Sequence, residues 1–556
     1  MPARIAVLPV LPVRIAVHIA VPNALIAVLI VLLHVHIPVS VAQAVLHVLK
    51  ARYTVVLMVA SILQNLDLRK KMTATSEKYI LTPSLVALKK EQEAIYFDYE
   101  FPNPLYFSRG KDVIENFLGQ IPEEGVCFDE IVNPDIQMLF QLLVHHGILF
   151  NRDTQKKILS HGCVECSCNP REINCYLLLS QYCNLACVYC FNGDESYARM
   201  EKKIMSQEIA FQAVELFLQY LAPQGHLNLI FFGGEPLLNW DLARSLLKYY
   251  GNKELPEGKQ IHFHLTSNLL EFPAGLIEDI KRYEISILCD VDGPAHLHNQ
   301  TRPCCGGFPS YDRICRNLEL LQKNDISYSL RSTITRTNVH SIEEIVAHHI
   351  NLGSNVSSLV AINPITSDET VLPESMLPDP KDFTQGLLSA YRKKIAPANQ
   401  IFPLNQMMET FKIGGTMQFP CGAPQGTTPT VDVNGDVYPC IYFVGISRLK
   451  WGTIQEAQNL YRSPILKSLK EETALANQLS CPTCPWKYFC GGGCPVKRVL
   501  IQANPKANEK IRKYCHEITC LPSKVLFPEL IWEHARSQHQ KNRENDSQYA
   551  SSIPRC

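Results

Sequence analysis

Three cysteines lie close together in the segment QYCNLACVYCF: Cys183, Cys187 and Cys190. Their CxxxCxxC spacing can place three thiolates around one metal cluster. A [4Fe–4S] cube held by three protein thiolates has one iron open for a substrate or cofactor. Three unrelated buried thiols are the alternative, but the neighbouring aromatic residues Tyr189 and Phe191 favour the cluster.

The segment FFGGEPLLN, which ends the next apolar run, adds groups that can meet a small ligand. Gly233 and Gly234 permit close backbone approach, and Glu235 offers a carboxylate to an amine. Together with the three cysteines, this segment predicts a site where a cluster and a small organic ligand meet.

A second group of cysteines lies between residues 421 and 515. Cys440 follows Gly435 after four intervening residues, and Cys481 and Cys484 form a later CxxC pair. A CxxC pair alone would leave zinc as a fair alternative, but the full array favours iron–sulfur clusters. The seven thiols are Cys421, Cys440, Cys481, Cys484, Cys490, Cys494 and Cys515.

The remaining cysteine groups keep several interpretations. One group is Cys163, Cys166, Cys168 and Cys175. These are metal ligands, mobile redox thiols or residues without a chemical role, and the adjacent Cys304 and Cys305 are unassigned. With 21 cysteines, many at ligand spacing, the chain is expected in a reducing compartment, the cytoplasm, because oxidation to disulfides would destroy the ligands.

On these motifs the chain resembles the radical S-adenosylmethionine (SAM) superfamily, a partial (β/α)6 barrel, over roughly residues 174–365. The resemblance implies that Cys183, Cys187 and Cys190 hold the catalytic cluster, whose fourth iron chelates SAM. It also implies that Tyr189 packs near the adenine. The residues implied to meet the methionine amino group are Gly233, Gly234 and Glu235.

Two further segments match the same family. In HLTSNLL, Ser267 and Asn268 stand where relatives carry Thr-Asn, and DVDGPAHLHNQTRP supplies Asp292 and Arg302. Asp290 replaces a serine of the family pattern, which puts that position's contact with the cofactor in doubt. Arg302 is expected either to pair with the cofactor carboxylate or to be a surface salt-bridge residue.

The second cysteine group resembles the SPASM extension of peptide-modifying radical enzymes. By this resemblance Cys421, Cys440 and Cys494 hold one auxiliary [4Fe–4S] cluster. The ligands implied for the other are Cys481, Cys484, Cys490 and Cys515. Sulfatase-maturing relatives have a further cysteine a few residues after the first, but GAPQGTT follows here, so an open iron that takes a substrate thiolate is expected. Cys520 is a possible fourth ligand, but it lies where the second cluster already has four.

The resemblance implies radical chemistry on a ribosomally made peptide (RiPP maturation), in which SAM is cleaved to a 5′-deoxyadenosyl radical. Sulfatase-maturing relatives carry an Asp after GDxYPC, whereas Ile441 follows GDVYPC here. We therefore expect a thioether-forming peptide maturase. The alternatives are a carbon–carbon crosslinking or epimerising maturase, a sulfatase-maturase-like enzyme, and a non-enzymatic iron–sulfur scaffold. A precursor peptide with a leader and a flavodoxin- or ferredoxin-type electron donor are the expected partners.

The elements that must position these residues are visible as alternating apolar runs and helical stretches. Buried strands are predicted at 175–179, 227–232, 261–266 and 285–289, each followed by a helix. This βα repetition predicts a parallel sheet or barrel with the site at the carboxyl ends of the strands. Before it, residues 79–150 predict a small α+β unit that resembles a winged helix, or else is a plain packing domain. As a winged-helix unit it would grip a leader by strand addition.

The first seventy-one residues differ from the rest. Asp67 is their only acidic residue, and the run 15–49 is uncharged but broken by Pro22 and Pro38. A mis-assigned start before Met72, a membrane anchor and a targeting or disordered extension remain open. Over the whole chain Lys+Arg and Asp+Glu are equal at 53 each, which argues against a nucleic-acid binder.

The resulting domain prediction has six segments along an α/β chain. They are a low-complexity extension (1–71), a winged-helix-like domain (72–150), a cysteine-containing linker (151–173), the radical SAM barrel (174–380), the SPASM domain (381–535) and a polar, frayed tail (536–556).

Overall fold

The structure is a computed structural model that describes residues 78–98, 104–108, 110–131, 133–151, 169–191, 203–367, 369–412, 417, 419–478 and 480–551. The amino-terminal extension and Cys163, Cys166 and Cys168 lie outside the described residues. The chain divides into two compact units. In its described part, the first comprises 78–82, 89–95 and 105–151, and the second comprises the remainder.

In the described residues before 152 there are six strands and two α-helices. In chain order they are β1 (Lys78–Leu81), β2 (Leu85–Lys90), β3 (Glu93–Asp98), β4 (Leu105–Phe107), α1 (Lys111–Gly119), β5 (Val126–Cys127), α2 (Pro134–His145) and β6 (Leu149–Phe150). β1 pairs antiparallel with both β5 and β6, and β2, β3 and β4 form a second sheet. Helix α2 begins where the Asn133 side chain accepts hydrogen bonds from the backbone N–H groups of Asp135 and Ile136. The predicted strands, helices and closing strand are present, but β2 and the strand β5 between the two helices were not predicted, and the winged-helix likeness stays a prediction.

The barrel alternates strands and helices as the sequence predicted. Its elements are β7 (Glu172–Ser180), α3 (Gln207–Tyr220), β8 (His226–Gly233), α4 (Trp240–Tyr250), β9 (Gln260–Ser267), α5 (Leu276–Tyr283), β10 (Ser286–Asp290), α6 (Ala295–Thr301), α7 (Tyr311–Lys323), β11 (Tyr328–Ile334), α8 (Ile342–Asn351), β12 (Ser357–Ala361) and α9 (Pro380–Arg392). Strands β7 to β12 are parallel neighbours in sequence order. The predicted α/β fold is therefore confirmed.

The carboxyl-terminal region extends the barrel sheet on both edges. Its elements are β13 (Ile401–Phe402), α10 (Leu404–Lys412), β14 (Thr430–Val431), β15 (Asp436–Tyr438), β16 (Gly452–Thr453), α11 (Pro464–Thr473), α12 (Lys487–Cys490), α13 (Pro495–Ala503) and α14 (Glu509–Ser551). β13 adds parallel to β12, β14 adds parallel to β7, and β15 and β16 continue antiparallel. An open barrel leaves unpaired backbone groups on its edge strands, and these additions satisfy them.

The prediction of a frayed tail from Arg536 is wrong for its described part. Helix α14 continues to Ser551, and residues 536–551 contain no proline or glycine that would end it. In the part of the chain that the structure describes, no helix is both long and apolar enough to cross a membrane.

Strand β7 shows how the sequence builds the barrel. Ile173, Cys175 and Leu177 are fully buried in the main hydrophobic core, which also includes residues of the surrounding helices, whereas Tyr176 lines a cavity on the other face. Because side chains alternate along a strand, one run of residues supplies both the core and the wall of the cavity.

Candidate active site at the carboxyl edge of the barrel

The three cysteines of the CxxxCxxC motif lie in a loop, residues 183–190, that directly follows β7. We call this segment the cluster loop. Its backbone is held by residues 301–305, since the Ala186 N–H donates to the Pro303 carbonyl at 2.8 Å and the Val188 N–H donates to the Thr301 carbonyl at 3.0 Å. Cys183, Cys187 and Cys190 all line one cavity.

The three cysteines of the cluster loop are half-buried, and the Cys183 sulfur receives hydrogen-bond donors. The Cys183 sulfur lies 3.4 Å from the Leu185 backbone N and 3.7 Å from Asn268 Nδ2. Burial raises the pKa of Cys183 and raises that of Cys187 to about 12. Such thiols are inert on their own, and a bound metal centre would deprotonate them. This donor set fits an iron–sulfur cluster.

The end of β8 approaches the cluster loop so closely that only glycine fits. A Cβ at Gly233, whose φ is +139°, would lie 2.3 Å from the Ser180 carbonyl oxygen. A Cβ at Gly234 would lie 2.5 Å from the Tyr182 carbonyl oxygen. Real side chains do not tolerate contacts of this length, so the GGEP motif packs directly against the backbone of Ser180 and Tyr182, from which the cluster loop continues.

The carboxylate of Glu235 connects this motif to the end of β9. It accepts hydrogen bonds from Ser267 Oγ at 2.7 Å, the Asn268 N–H at 2.9 Å and the Leu237 N–H at 3.0 Å. Burial raises the pKa of Glu235 to about 7, although these donors lower it. Both carboxylate oxygens thus bond to the chain itself, and a contact with a cofactor amine stays a prediction. Ser267 and Asn268 line the cavity.

Tyr189 of the cluster loop forms a buried group with Asp292 and Arg302. The Tyr189 hydroxyl donates to Asp292, whose other oxygen accepts from the Thr333 N–H at 2.9 Å. Arg302 lies within 3.2 Å of the Asp292 carboxylate, and its guanidinium carbon is 5.4 Å from the centre of the Tyr189 ring. The alternative of a surface salt bridge for Arg302 is wrong, because this side chain is only 6% exposed.

The first set of predicted auxiliary ligands lines the same cavity as the cluster loop. The cavity has a volume of about 510 Å³, and Cys421, Cys440 and Cys494 belong to its wall. Two aromatic rings, those of Phe191 and Tyr442, lie 4.9 Å apart beside it. One cavity therefore joins two groups of three cysteines that are more than two hundred residues apart in sequence.

The other auxiliary cysteines surround α12 and the start of α14, with a difference from the predicted set. Ser523 Oγ on α14 donates to the Cys490 sulfur at 3.3 Å, and the Cys520 sulfur lies 4.0 Å from Ser480 Oγ, beside Cys481. Burial raises the pKa of Cys481 and Cys490, and the charge of Cys520 adds to both rises.

Cys515 lies on another side of α14. Burial raises its pKa to about 12, Lys497 opposes this, and the charge of Cys494 adds to it. Cys515 and Cys520 are five residues apart, which separates their side chains by roughly 140° around the helix. Cys520 therefore neighbours the Cys481 group, whereas Cys515 neighbours Cys494.

The structure also places the unassigned cysteines. Cys175 is fully buried in the barrel core. The Cys305 N–H donates to the Asn184 carbonyl at 3.0 Å, and the backbones of Cys304 and Leu185 form an isolated antiparallel β-bridge. This pair therefore helps to hold the cluster loop. Among the described residues, no three histidine, cysteine or acidic side chains are grouped as a single metal ion requires.

Arg331 is a site residue that the sequence analysis missed. It lies on β11, lines the cavity and contacts Asp290 through two nitrogens, at 2.7 and 3.0 Å. Burial alternates along β11, and Arg331 occupies a position that faces the inside of the barrel. A charged residue at such a strand position is the signal by which the sequence could have indicated it.

Comparison with known proteins agrees with this geometry. The family model described as Radical SAM superfamily matches residues 177–348. The chain is 23% identical over 369 residues to the cysteine-type anaerobic sulfatase-maturating enzyme of Clostridium perfringens, which covers 63% of this chain and 95% of that protein. It is 28% identical over 201 residues to the radical SAM cyclopropyl synthase TigE of Paramaledivibacter caminithermalis. That alignment covers 34% of this chain and 41% of TigE.

A solved structure shares the fold. Native anSMEcpe with bound AdoMet and Cp18Cys peptide aligns with a TM-score of 0.53 at 22% identity, over 66% of this chain and 99% of that one. Its likeness confirms the predicted radical SAM fold. The matched domain contains both the cluster loop and the glycine motif, so the chain carries a radical SAM domain over residues 177–348, which implies SAM and a [4Fe–4S] cluster as its cofactors.

Proposed function

We propose that this enzyme is a maturase that installs a thioether crosslink in a ribosomally made precursor peptide. The observation that carries the proposal is the shared cavity, whose wall includes both Cys183, Cys187 and Cys190 of the cluster loop and three cysteines of the carboxyl-terminal region. A peptide segment in this space would lie between two iron–sulfur sites. The names of the sulfatase-maturating relatives and the peptide-bound solved structure support a polypeptide substrate.

Cys183, Cys187 and Cys190 would hold the SAM-binding cluster. When bound, the cluster and SAM supply one-electron cleavage to a 5′-deoxyadenosyl radical, which takes a hydrogen atom from the substrate. The chain contributes placement: Gly233 and Gly234 set the distance between β8 and the loop. With SAM and a substrate filling the cavity, water would be excluded, which would protect a reactive species from side reactions.

Two auxiliary clusters would be held by the carboxyl-terminal region. Cys421, Cys440 and Cys494 would hold the first, and the lack of a fourth cysteine soon after Cys421 supports an iron open to a substrate thiolate. For the second, the contacts around Cys481 and Cys490 support Cys520 as the closing ligand in place of the sequence-based Cys515. The ligand set is then Cys481, Cys484, Cys490 and Cys520.

The region before residue 152 supports recognition of a leader peptide. In the described part of its second sheet, β2 is an edge strand, and an extended peptide can add to such an edge through main-chain hydrogen bonds. Holding the leader there would raise the effective concentration of the core segment at the site.

Other reactions of the same class use the same cavity. Carbon–carbon crosslinking and epimerisation remain alternatives, and the sulfatase-maturing reaction is disfavoured by Ile441, which follows Cys440 where those relatives carry an Asp. A non-enzymatic iron–sulfur scaffold is the alternative from another class. A flavodoxin- or ferredoxin-type donor in the reducing cytoplasm would supply the electron, and Val188, 52% exposed beside Cys187, marks where the cluster loop reaches the surface.

The test uses full-length protein with reconstituted clusters, SAM, dithionite and short cysteine-rich peptides encoded by neighbouring reading frames. We expect release of 5′-deoxyadenosine and a product that has lost two hydrogen atoms with one thiol alkylated. Cys183→Ala should abolish both, whereas Cys421→Ala should retain some SAM cleavage but form no crosslink. Intact clusters without 5′-deoxyadenosine would overturn the enzyme, and full crosslinking by Cys421→Ala would overturn the role of the first auxiliary site.

A further inference from the structure

Four charged side chains form a connected group where the carboxyl end of β10 meets the middle of β11, and we call it the charge lattice: Asp290, Asp292, Arg302 and Arg331. Arg331 Nε and Nη2 contact the two carboxylate oxygens of Asp290 at 2.7 and 3.0 Å. Arg302 joins both acids, with Nη2 at 3.3 Å from Asp290 and Nε at 3.2 Å from Asp292. Two positive and two negative charges therefore alternate in one connected set.

Three members of the lattice are shielded from solvent. The side chain of Asp292 is 0% exposed, that of Arg302 is 6% exposed and that of Asp290 is 13% exposed, whereas Arg331 is 27% exposed. Coulomb interactions are much stronger in such surroundings than in water. The charges of the lattice therefore interact strongly with neighbouring groups.

The charge lattice lies beside the cluster loop. Arg302 Nη1 is 3.9 Å from the Cys187 sulfur, within reach of an N–H···S hydrogen bond. The same guanidinium lies over the ring of Tyr189, whose hydroxyl donates to Asp292. The three nitrogens of Arg302 thus contact two aspartates and one thiol of the loop.

The position of Asp290 explains why Arg331 is needed. The family pattern has a neutral serine there, so Asp290 brings an extra negative charge close to Arg302. The two-nitrogen contact from Arg331 balances that charge. Without Arg331, Asp290 would offset the positive charge of Arg302, whereas without Asp290 the guanidinium of Arg331 would lose its carboxylate partner in the cavity wall.

We propose that Arg302, held in place by Asp290 and Arg331, sets the reduction potential of the cluster bound at Cys183, Cys187 and Cys190. This rests on the proposed function, in which those thiolates hold the cluster. A positive charge with an N–H donor at a ligand sulfur stabilises the more negative, reduced cluster and raises its potential, and a nearby carboxylate does the opposite. Arg302 contacts the ligand, and Asp290 and Arg331 are positioning residues.

The test is a redox titration of the full-length holoenzyme, monitored by electron paramagnetic resonance. The cluster to follow is the one whose signal changes when SAM is added. Arg302→Gln and Arg331→Gln are expected to lower the midpoint potential, and Asp290→Asn to raise it, with iron content unchanged. Arg302→Lys, which keeps the charge, should recover much of the loss. Arg244→Gln is the matched control, because it removes another ion pair of the barrel, to Asp279 at 2.8 Å.

Shifts of opposite sign for Arg302→Gln and Asp290→Asn would support the proposal, since a general loss of stability would move both variants alike. Equal potentials, or shifts of the same sign, with full iron content would overturn it. Persistence of the SAM-responsive signal in Cys183→Ala would instead overturn the ligand assignment of the proposed function.

Discussion

The side-chain amide of Asn268 lies 3.7 Å from the Cys183 sulfur and 2.9 Å from Asn184 Oδ1. Its backbone N–H donates to Glu235 at 2.9 Å. One residue at the end of β9 therefore joins the cluster loop to the glycine motif after β8. Its amide orients a predicted cluster ligand, as residues around metal ligands commonly do.

Removing this amide should weaken cluster retention. Asn268→Ala is expected to lose iron to a chelator roughly 10–100-fold faster than the native protein, the usual range for residues that support metal ligands. Asn268→Asp should be worse, because a carboxylate would face the Cys183 thiolate. Asn317→Ala, which removes a donor to the Leu269 carbonyl, is the control. Equal iron loss in Asn268→Ala and the native protein would contradict this role.

The raised pKa of Glu235 predicts a pH effect on stability. Its folded pKa is about 7, above the ordinary value of 4.5, so the folded state favours the protonated form. The stabilisation is fully present below the ordinary value and is lost as pH rises through about 7. Across this window the difference in unfolding free energy between native protein and Glu235→Gln should change by about 3 kcal/mol.

Thermal unfolding at several pH values, with the native protein and Glu235→Gln side by side, measures that difference. The variant cannot ionise, so this part of the pH dependence should disappear from it. Parallel curves for the two proteins between pH 5 and 8 would show that Glu235 does not titrate there.

The closing ligand of the second auxiliary cluster can be tested by iron counting. Three clusters correspond to roughly twelve irons per chain. Cys520→Ala should lose iron from this cluster or convert it to a three-iron form, visible by Mössbauer spectroscopy, while SAM cleavage persists. Cys515→Ala, on another side of α14, should leave the second cluster intact. The reverse result would restore the sequence-based assignment.

The close approach at Gly233 predicts a strong effect of one methyl group. Gly233→Ala should displace the cluster loop, because the new Cβ would meet the Ser180 carbonyl oxygen at 2.3 Å. Gly307→Ala is a matched control, since Gly307 also has positive φ but a Cβ there would meet nothing within 4 Å. We expect loss of the SAM-induced spectral change only in Gly233→Ala. Comparable losses in both variants would assign the effect to backbone strain alone.

Much of the barrel could be predicted because its signals are local. Apolar runs such as the one within β7, each followed by a helical stretch, indicated parallel strands, and the structure has them with ends shifted by a few residues. The cysteine and glycine motifs followed two of these strands directly, so their common edge followed from topology. The strands that the carboxyl-terminal region adds to both edges of the sheet are two or three residues long, too short to give a periodic pattern.

The sequence by itself predicted the radical SAM domain, the alternating βα order and the cysteines with ligand spacing, because motif spacing and strand periodicity are written in consecutive residues. Only the tertiary structure decided which side of α14 faces Cys490 and that Arg302 is buried between Asp290 and Asp292. It alone also brought Arg331 to the cavity. These contacts join residues far apart in sequence, and they depend on how strands and helices pack.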